Sequence, residues 1–387
     1  QTLRADQRFF NSLIGREMML FNVRTKIVSG KKSLGYLKTV DNKKVWIVCD
    51  PFLRDSDALR QLQQAIPQTS TVSLFFDIVP DPPIATIAAG VINLCAVAPD
   101  VVIGVGGGSA IDAAKAMIYF ARTQGTAVEM FIAIPTTSGT GSEVTHASVI
   151  SDPQKKIKYP LFDDSLYPDV ALLVPQFVVS VPPGITANTG MDVLTHALEA
   201  WVATGASDFT DALALKAVRL VLKYLPRAWR DGQDIAAREK MHNASTLAGM
   251  AFSQAGLGLN HAIAHQLGGQ FHLPHGLANA LLLPHVVRFN ARATHVSQKY
   301  AQLSRECGLS AEHASDEEAV KRLLIAIEQL SADMNIVKNM TALNINAGDV
   351  VHALEAIAES ALRDATFITN PVMAQKKDIV MLLQDII

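Results

Sequence analysis

Four side chains from the middle of the chain onward are of the types that hold a metal ion: Asp192, His196, His261 and His275. Asp192 and His196 lie four residues apart in Gly-Met-Asp-Val-Leu-Thr-His-Ala (190–197), so on a helix they share a face and can grip one ion. His261 and His275 bracket a run whose Gly-Gly and Leu-Pro breaks, at 268–269 and 273–274, would bring two elements together. One carboxylate with three imidazoles suits a borderline divalent cation such as Fe²⁺ or Zn²⁺. It suits Ca²⁺ and Mg²⁺ poorly, because these want oxygen ligands. Far upstream stands a glycine-rich turn, Gly106-Gly107-Gly108-Ser109. A metal in one half and a phosphate cradle in the other point to cofactor-dependent chemistry on a polarised oxygen.

These residues need a scaffold of some size. A chain of 387 residues is long for one core and is read as two domains. Its apolar share of 49% and charged share of 18% are those of a folded globular protein. The net charge of −2 gives no reason to expect nucleic acid as a partner. Asp100 interrupts the most apolar run, around 91–105, so no membrane span is expected. Three cysteines at 49, 95 and 307, without metal-type spacing, fit a reducing, cytoplasmic setting and read best as small apolar residues. Residue 1 is Gln, and Met18 or Met19 is read as the native start, with 1–17 an extension or tag remnant. A short amphipathic helix there, carrying Phe9, Phe10, Leu13 and Ile14 to a partner, is the alternative.

From about 20 to 175 the pattern alternates. Strands are expected at 44–49, 71–76, 100–105 and 131–134, with helices near 55–65, 84–97 and 109–121 between them. This β-α-β-α order predicts a mostly parallel sheet covered on both faces. Ser180-Val-Pro-Pro-Gly184 is a strong breaker. Beyond it the periodicity is helical: 187–203, 210–225 (stopped by Pro226), 234–252, 257–267 (stopped by Gly268-Gly269), 276–290, 317–333 and 347–363. The expected fold is an α/β N-terminal dinucleotide-binding domain, 18–182, followed by an all-α metal-binding domain, 183–387.

The glycine turn sits between a buried strand and a helix. Glycines there let a backbone approach a pyrophosphate, and the helix N-terminus supplies unpaired N–H groups. Ser109 replaces the last glycine of the usual dinucleotide pattern, and a ligand-free tight turn would look similar. A second loop rich in hydroxyls and glycine, Pro135-Thr136-Thr137-Ser138-Gly139-Thr140-Gly141-Ser142-Glu143, also follows a strand. Such loops at the carboxyl ends of parallel strands are where these sheets bind ligands. Asp50, at another strand end, is a candidate for ribose hydroxyls and would repel a 2′-phosphate, favouring NAD over NADP. A turn or cap role is its bland alternative. A lone histidine on an apolar helix is usually a packed core residue, and among eleven histidines His242, His272 and His285 are read as structural.

Taken together, Gly106–Ser109 with Asp112 and Lys115, Pro135–Glu143, the Asp192/His196 helix and His261 through Gly276 carry a family resemblance. The chain resembles the iron-containing (group III) alcohol dehydrogenases over nearly all of 20–387, in the superfamily that includes glycerol dehydrogenase and dehydroquinate synthase. Lys-Tyr-Pro-Leu-Phe (158–162) and Gly-Leu-Gly-Leu-Asn-His-Ala-Ile-Ala-His-Gln-Leu-Gly-Gly (256–269) look most like the propanol dehydrogenases of propanediol-utilisation microcompartments.

The resemblance implies a dehydroquinate synthase-like architecture. It implies iron on Asp192, His196, His261 and His275, and NAD on Gly106, Gly107, Gly108, Ser109, Thr136, Thr137, Thr140 and Asp50, with Lys158 near its ribose region. It also implies a substrate-pocket aromatic at Phe252 and a further histidine, His265, beside the metal. His265 lies one turn from His261, and proton relay and plain packing both fit it. The implied activity is interconversion of a short-chain aldehyde, propionaldehyde foremost, and its primary alcohol. Ethanol, butanol and lactaldehyde/1,2-propanediol activities are the neighbouring alternatives. A homodimer or larger assembly and contact with microcompartment proteins are implied as well. A dehydroquinate synthase-like lyase would need a basic cluster for its substrate, and 186–203 holds no Lys or Arg. A metal hydrolase would need neither the glycine turn nor the Thr136–Glu143 loop.

Overall fold

The computed structural model describes residues 20–153 and 157–387. The expected extension at 1–17 and the choice between Met18 and Met19 lie outside the described residues.

Eight strands are described: β1 Lys26–Ser29, β2 Lys44–Cys49, β3 Thr71–Phe75, β4 Val101–Gly106, β5 Met130–Pro135, β6 Ala147–Asp152, β7 Ile157–Phe162 and β8 Val170–Leu173. Six form one sheet in the order β1-β8-β5-β4-β2-β3. Every pairing in it is parallel. β6 and β7 form a separate antiparallel ribbon. Between the parallel strands lie α1 Asp57–Ala65, α2 Ile84–Val97 and α3 Gly108–Thr123.

The central strand β4, Val-Val-Ile-Gly-Val-Gly, is buried along its whole length, as expected of a parallel strand covered on both faces. One face is packed by Ile87, Leu94, Ala110, Ala114 and Met117 of α2 and α3. The other is covered by Leu37, Leu53, Leu59 and Leu62. α2 and α3 touch closely, because a Cβ at Gly90 would overlap the Met117 side chain.

The helical part comprises α4 Pro183–Val202, α5 Asp208–Arg230, α6 Ile235–Ala255, α7 Leu259–Phe271, α8 His275–Asn290, α9 Thr294–Glu306, α10 Asp316–Asp333, α11 Ala347–Ala361 and α12 Lys376–Gln384. Its core is one continuous apolar cluster. α4 is buried along most of its length and serves as its axis.

Two expected helix stops fail. Pro226 lies inside α5, which runs on to Arg230. Leu225 and Ala228 on either side of it are fully buried, and Arg227 pairs with Asp234 at 2.7 Å. Packing therefore outweighs the hydrogen bond that the proline removes. Gly268-Gly269 does not end α7 either. The helix continues to Phe271 and stops at His272, whose φ of 55° is left-handed, with Pro274 opening α8. A glycine costs a helix only about 1 kcal/mol against alanine, which is less than a change of backbone hand followed by proline. His272 is thus a turn residue, and the link between His261 and His275 is made at 272–274.

The junction before α4 is clamped by Arg238 of α6. This buried guanidinium donates to Val181 O at 2.8 Å, Gly232 O at 2.9 Å and Thr186 Oγ1 at 2.7 Å. α6 also meets the sheet. Gly141, with φ of 65°, faces Gly249, and a Cβ on it would stand 2.7 Å from Gly249 Cα. Thr246 donates to Glu143 Oε1 at 2.7 Å, and His242 Nδ1 and Ser138 Oγ are 2.9 Å apart. The loop after β5 is therefore pinned to the helical part that carries the histidines.

Candidate metal centre and cofactor cleft

α4 brings Asp192 and His196 to one buried face, α7 brings His261, and the first turn of α8 brings His275. One ligand atom from each of the four lies within 4.8 Å of all the others. The Nε2 atoms of His275, His261 and His196 stand 3.5, 3.6 and 4.0 Å from Asp192 Oδ1. Ligands bonded at about 2.1 Å to one tetrahedral cation would be about 3.4 Å apart, so a small contraction closes the set. Asp192, His196 and His261 are buried, while His275 is partly open, leaving one approach from solvent.

The electrostatics fit a cation. The Asp192 carboxyl is held well below its usual range, because His196, His275 and His261 together outweigh burial. Burial, reinforced by His261 and His275, pushes His196 down to about 3, which keeps its lone pair free. Burial opposes a charge on His261, but Glu199 and Asp192 outweigh it and lift the group to about 9. The amide Nδ2 of Asn279 lies 2.7 Å from Asp192 Oδ1, 3.1 Å from His261 Nε2 and 3.2 Å from His275 Nε2. A positively polarised NH₂ thus faces three of the four ligand atoms. Donor types and spacing accept a divalent cation, which would displace the proton that Glu199 and Asp192 otherwise favour on His261.

Phe252 of α6 stacks on His196, with centroids 4.5 Å apart, and His196 stacks on His261 at 4.6 Å. His265 lies one turn beyond His261 and stacks on His275 at 5.5 Å. Its Nδ1 is 2.9 Å from Asp364 Oδ2, and its ring is partly open.

The carboxyl ends of β2, β4 and β5 lie side by side in the parallel sheet. Gly106, with φ of 151°, could not carry a side chain, since a Cβ would stand 2.6 Å from Ala110 and 3.0 Å from Asp50. Thr136 N donates to Gly106 O at 2.9 Å. Gly107 faces the Thr137 side chain and Gly108 faces Thr140. α3 then starts at Gly108 with no side-chain cap on its N-terminus, which leaves first-turn N–H groups open to an anion. Asp50 accepts from Phe52 N at 3.1 Å, so its bland role as a cap is real. Ser109 Oγ accepts from Asp81 N at 3.4 Å, tying the turn toward the β6–β7 ribbon, where Ser151 donates to Asp81 O. The backbone of Lys158 pairs with Ser151; its side chain lies outside the described parts. Gly139 abuts Thr189 of α4, so the 135–143 loop touches the helix that carries Asp192 and His196.

Glu199, Asn279 and Asp364 were not singled out from the sequence. Glu199 and Asn279 stand on helix faces already read, three residues after His196 and four after His275. Spacing could have raised both. Asp364 has no such signal, being 99 residues from its partner His265. Lys115 is fully buried and donates to Thr145 O and Oγ1 and to Ala147 O at 2.8–2.9 Å. Burial lowers it to about 8, against the pull of Asp112 and Glu143. This staple fixes the end of the 135–145 loop to α3.

Comparison with known proteins decides the family. A model of the iron-containing alcohol dehydrogenases matches 24–175, and one of the C-terminal part of the same family matches 186–387. The chain belongs to the iron-containing alcohol dehydrogenase family. It is an oxidoreductase that acts on alcohols. It is 55% identical to 1-propanol dehydrogenase PduQ of Salmonella typhimurium over 96% of this chain and 100% of that protein. Among solved structures it resembles 1,3-propanediol oxidoreductase, with a TM-score of 0.89 and 31% identity over 96% of this chain and 100% of the other. It also resembles sulfoacetaldehyde reductase from Bifidobacterium kashiwanohense in complex with NAD⁺, with a TM-score of 0.85 and 28% identity over 95% and 98%. The parallel sheet and helical second part are the architecture of this family. Among the described residues no helix is long and apolar enough to cross a membrane.

Proposed function

We propose that this enzyme interconverts propionaldehyde and 1-propanol, working toward the alcohol, with NADH as reductant and iron on Asp192, His196, His261 and His275. The observation that carries this reading is the convergence of those four ligand atoms within 4.8 Å, beside a loop held at the carboxyl ends of parallel strands. The likeness to a 1-propanol dehydrogenase supports the substrate, and the likeness to a reductase in complex with NAD⁺ supports the dinucleotide. Zn²⁺ suits the same donors, and the full ligand motif favours iron within the family.

When bound, the cation supplies Lewis acidity to a substrate oxygen, and the nicotinamide supplies or accepts the hydride. The chain's own residues do the rest. Gly106, Gly107, Gly108 and Ser109 admit the pyrophosphate to the open N-terminus of α3. Thr136, Thr137 and Thr140 offer hydroxyls along the same cleft. Asp50 would accept from the adenosine ribose, and the family resemblance assigns Lys158 to the ribose region. Phe252 makes an apolar wall against His196 that suits a short alkyl chain. His265, with Nδ1 held by Asp364, exchanges a proton at Nε2 with water or substrate. The partly open His265 and His275 mark the side from which substrate enters.

The assembly is a homodimer or larger, and the setting is cytoplasmic, within a propanediol-utilisation microcompartment; the sequence resemblance supports both. Loss of NADH absorbance on adding propionaldehyde, acetaldehyde, butyraldehyde or lactaldehyde to iron-loaded enzyme tests the substrate. The highest kcat/KM is expected for propionaldehyde. A higher value for another aldehyde would reassign it, and no NADH consumption with any would overturn the reading.

A further inference from the structure

Glu199 is buried, and both of its oxygens are spoken for. Oε2 bonds His261 Nδ1, while Oε1 accepts from Asn260 N at 2.7 Å. It therefore receives the first turn of α7, whose N-cap Gly258 offers no side chain of its own. The fit is close enough that a Cβ on Gly258 would stand 3.0 Å from Glu199 Oε1. One carboxylate from α4 thus caps α7 and holds the imidazole three residues along from the cap.

The hydrogen bond has a chemical consequence. A neutral imidazole carries one N–H and one lone pair. A carboxylate on Nδ1 demands the N–H there, so the lone pair falls on Nε2, the atom that faces Asp192 Oδ1 at 3.6 Å. The charge count points the same way. Among the described residues, the ion-pair partners of Asp192 and Glu199 are all histidines. Two buried carboxylates without Lys or Arg are costly unless a cation answers them, and a divalent ion brings the pair to neutrality.

We infer that Glu199 is the positioning residue of the metal centre: it fixes the His261 tautomer through Nδ1 and supplies the second negative charge that matches the site to a divalent cation. This rests on the metal reading above.

The probe is Co²⁺ added to metal-free protein, followed by its visible absorption and by chelator competition. Glu199→Gln keeps the size of the side chain but presents only one acceptor oxygen. Its Co²⁺ affinity is expected to fall 10–100-fold, with an altered visible band. A lost cap alone would lower the Tm of metal-free and metal-loaded protein alike and leave the affinity in place. That result would overturn the inference. In a His261→Ala background the same substitution should cost much less affinity, and an equal loss in both backgrounds would show that Glu199 does not act through His261. Should Glu199→Gln fail to fold, ¹⁵N-histidine NMR of the metal-free parent decides: a proton on His261 Nδ1 is expected, and one on Nε2 alone contradicts it. A parent that binds no Co²⁺ would sink the metal reading itself, a separate result from equal binding by parent and variant.

Discussion

Asn279 donates to Asp192 across 2.7 Å, from the same helix and one turn beyond His275. Its amide is fixed the right way round by Asn260, which donates to Asn279 Oδ1 at 2.9 Å. An N–H thus satisfies the carboxylate that would face a cation. Asn279→Ala should destabilise the metal-free form by about 1–3 kcal/mol, the cost of an unpaired buried acceptor. The loaded form should lose less, because the cation answers Asp192. Thermal unfolding with and without chelator checks this; the gap between the two Tm values should widen, and an unchanged gap would refute it.

His265 is held by Asp364 but is no ligand in the four-residue set. His265→Ala should keep its iron and its Tm while kcat falls about 10²-fold or more. Iron analysis, melting and steady-state kinetics on one preparation separate the cases. Parent-like kcat would reduce His265 to packing, and iron lost in step with activity would make its role structural.

Asp50 both caps Phe52 N and stands against the glycine turn. Asp50→Ser keeps a capping oxygen and removes the charge. The preference for NADH over NADPH should narrow, read as the ratio of kcat/KM values. A parent that already prefers NADPH would contradict the role given to this carboxylate.

His242 is buried beside Ser138, and burial lowers its pKa from 6.5 to about 4. Between these values the unfolded chain binds a proton that the folded chain refuses, so stability falls as pH drops from 6.5 toward 4 and the penalty levels off below that. The full effect is about 3 kcal/mol. His242→Gln, neutral throughout, should flatten this part of the stability–pH curve relative to the parent. Parallel curves for the two proteins would show that His242 does not titrate on unfolding as described.

The alternating and helical halves were legible because buried strands such as β4 and an amphipathic stretch such as α5 write their periods into the sequence. So were Asp192 and His196, whose spacing is one helical turn. The edge strand β1, with mostly exposed residues, carries no such period, and it was not expected. Pro226 and Gly268-Gly269 misled because breakers act locally while Leu225, Ala228 and the turn at His272 decide where the helices end. Glu199 and Asp364 meet their partners across 62 and 99 residues. Only the packing of α4, α7 and the segment after α11 creates those contacts.

In the proposed function, Asp192, His196, His261 and His275 hold the iron on which aldehyde reduction depends. The most direct measurement is iron content together with propionaldehyde-dependent NADH oxidation, in the parent and in His261→Ala, each stripped with chelator and reloaded with Fe²⁺. The parent should regain activity in step with bound iron, and the variant should regain neither. Full iron occupancy with normal turnover in His261→Ala would contradict this ligand assignment.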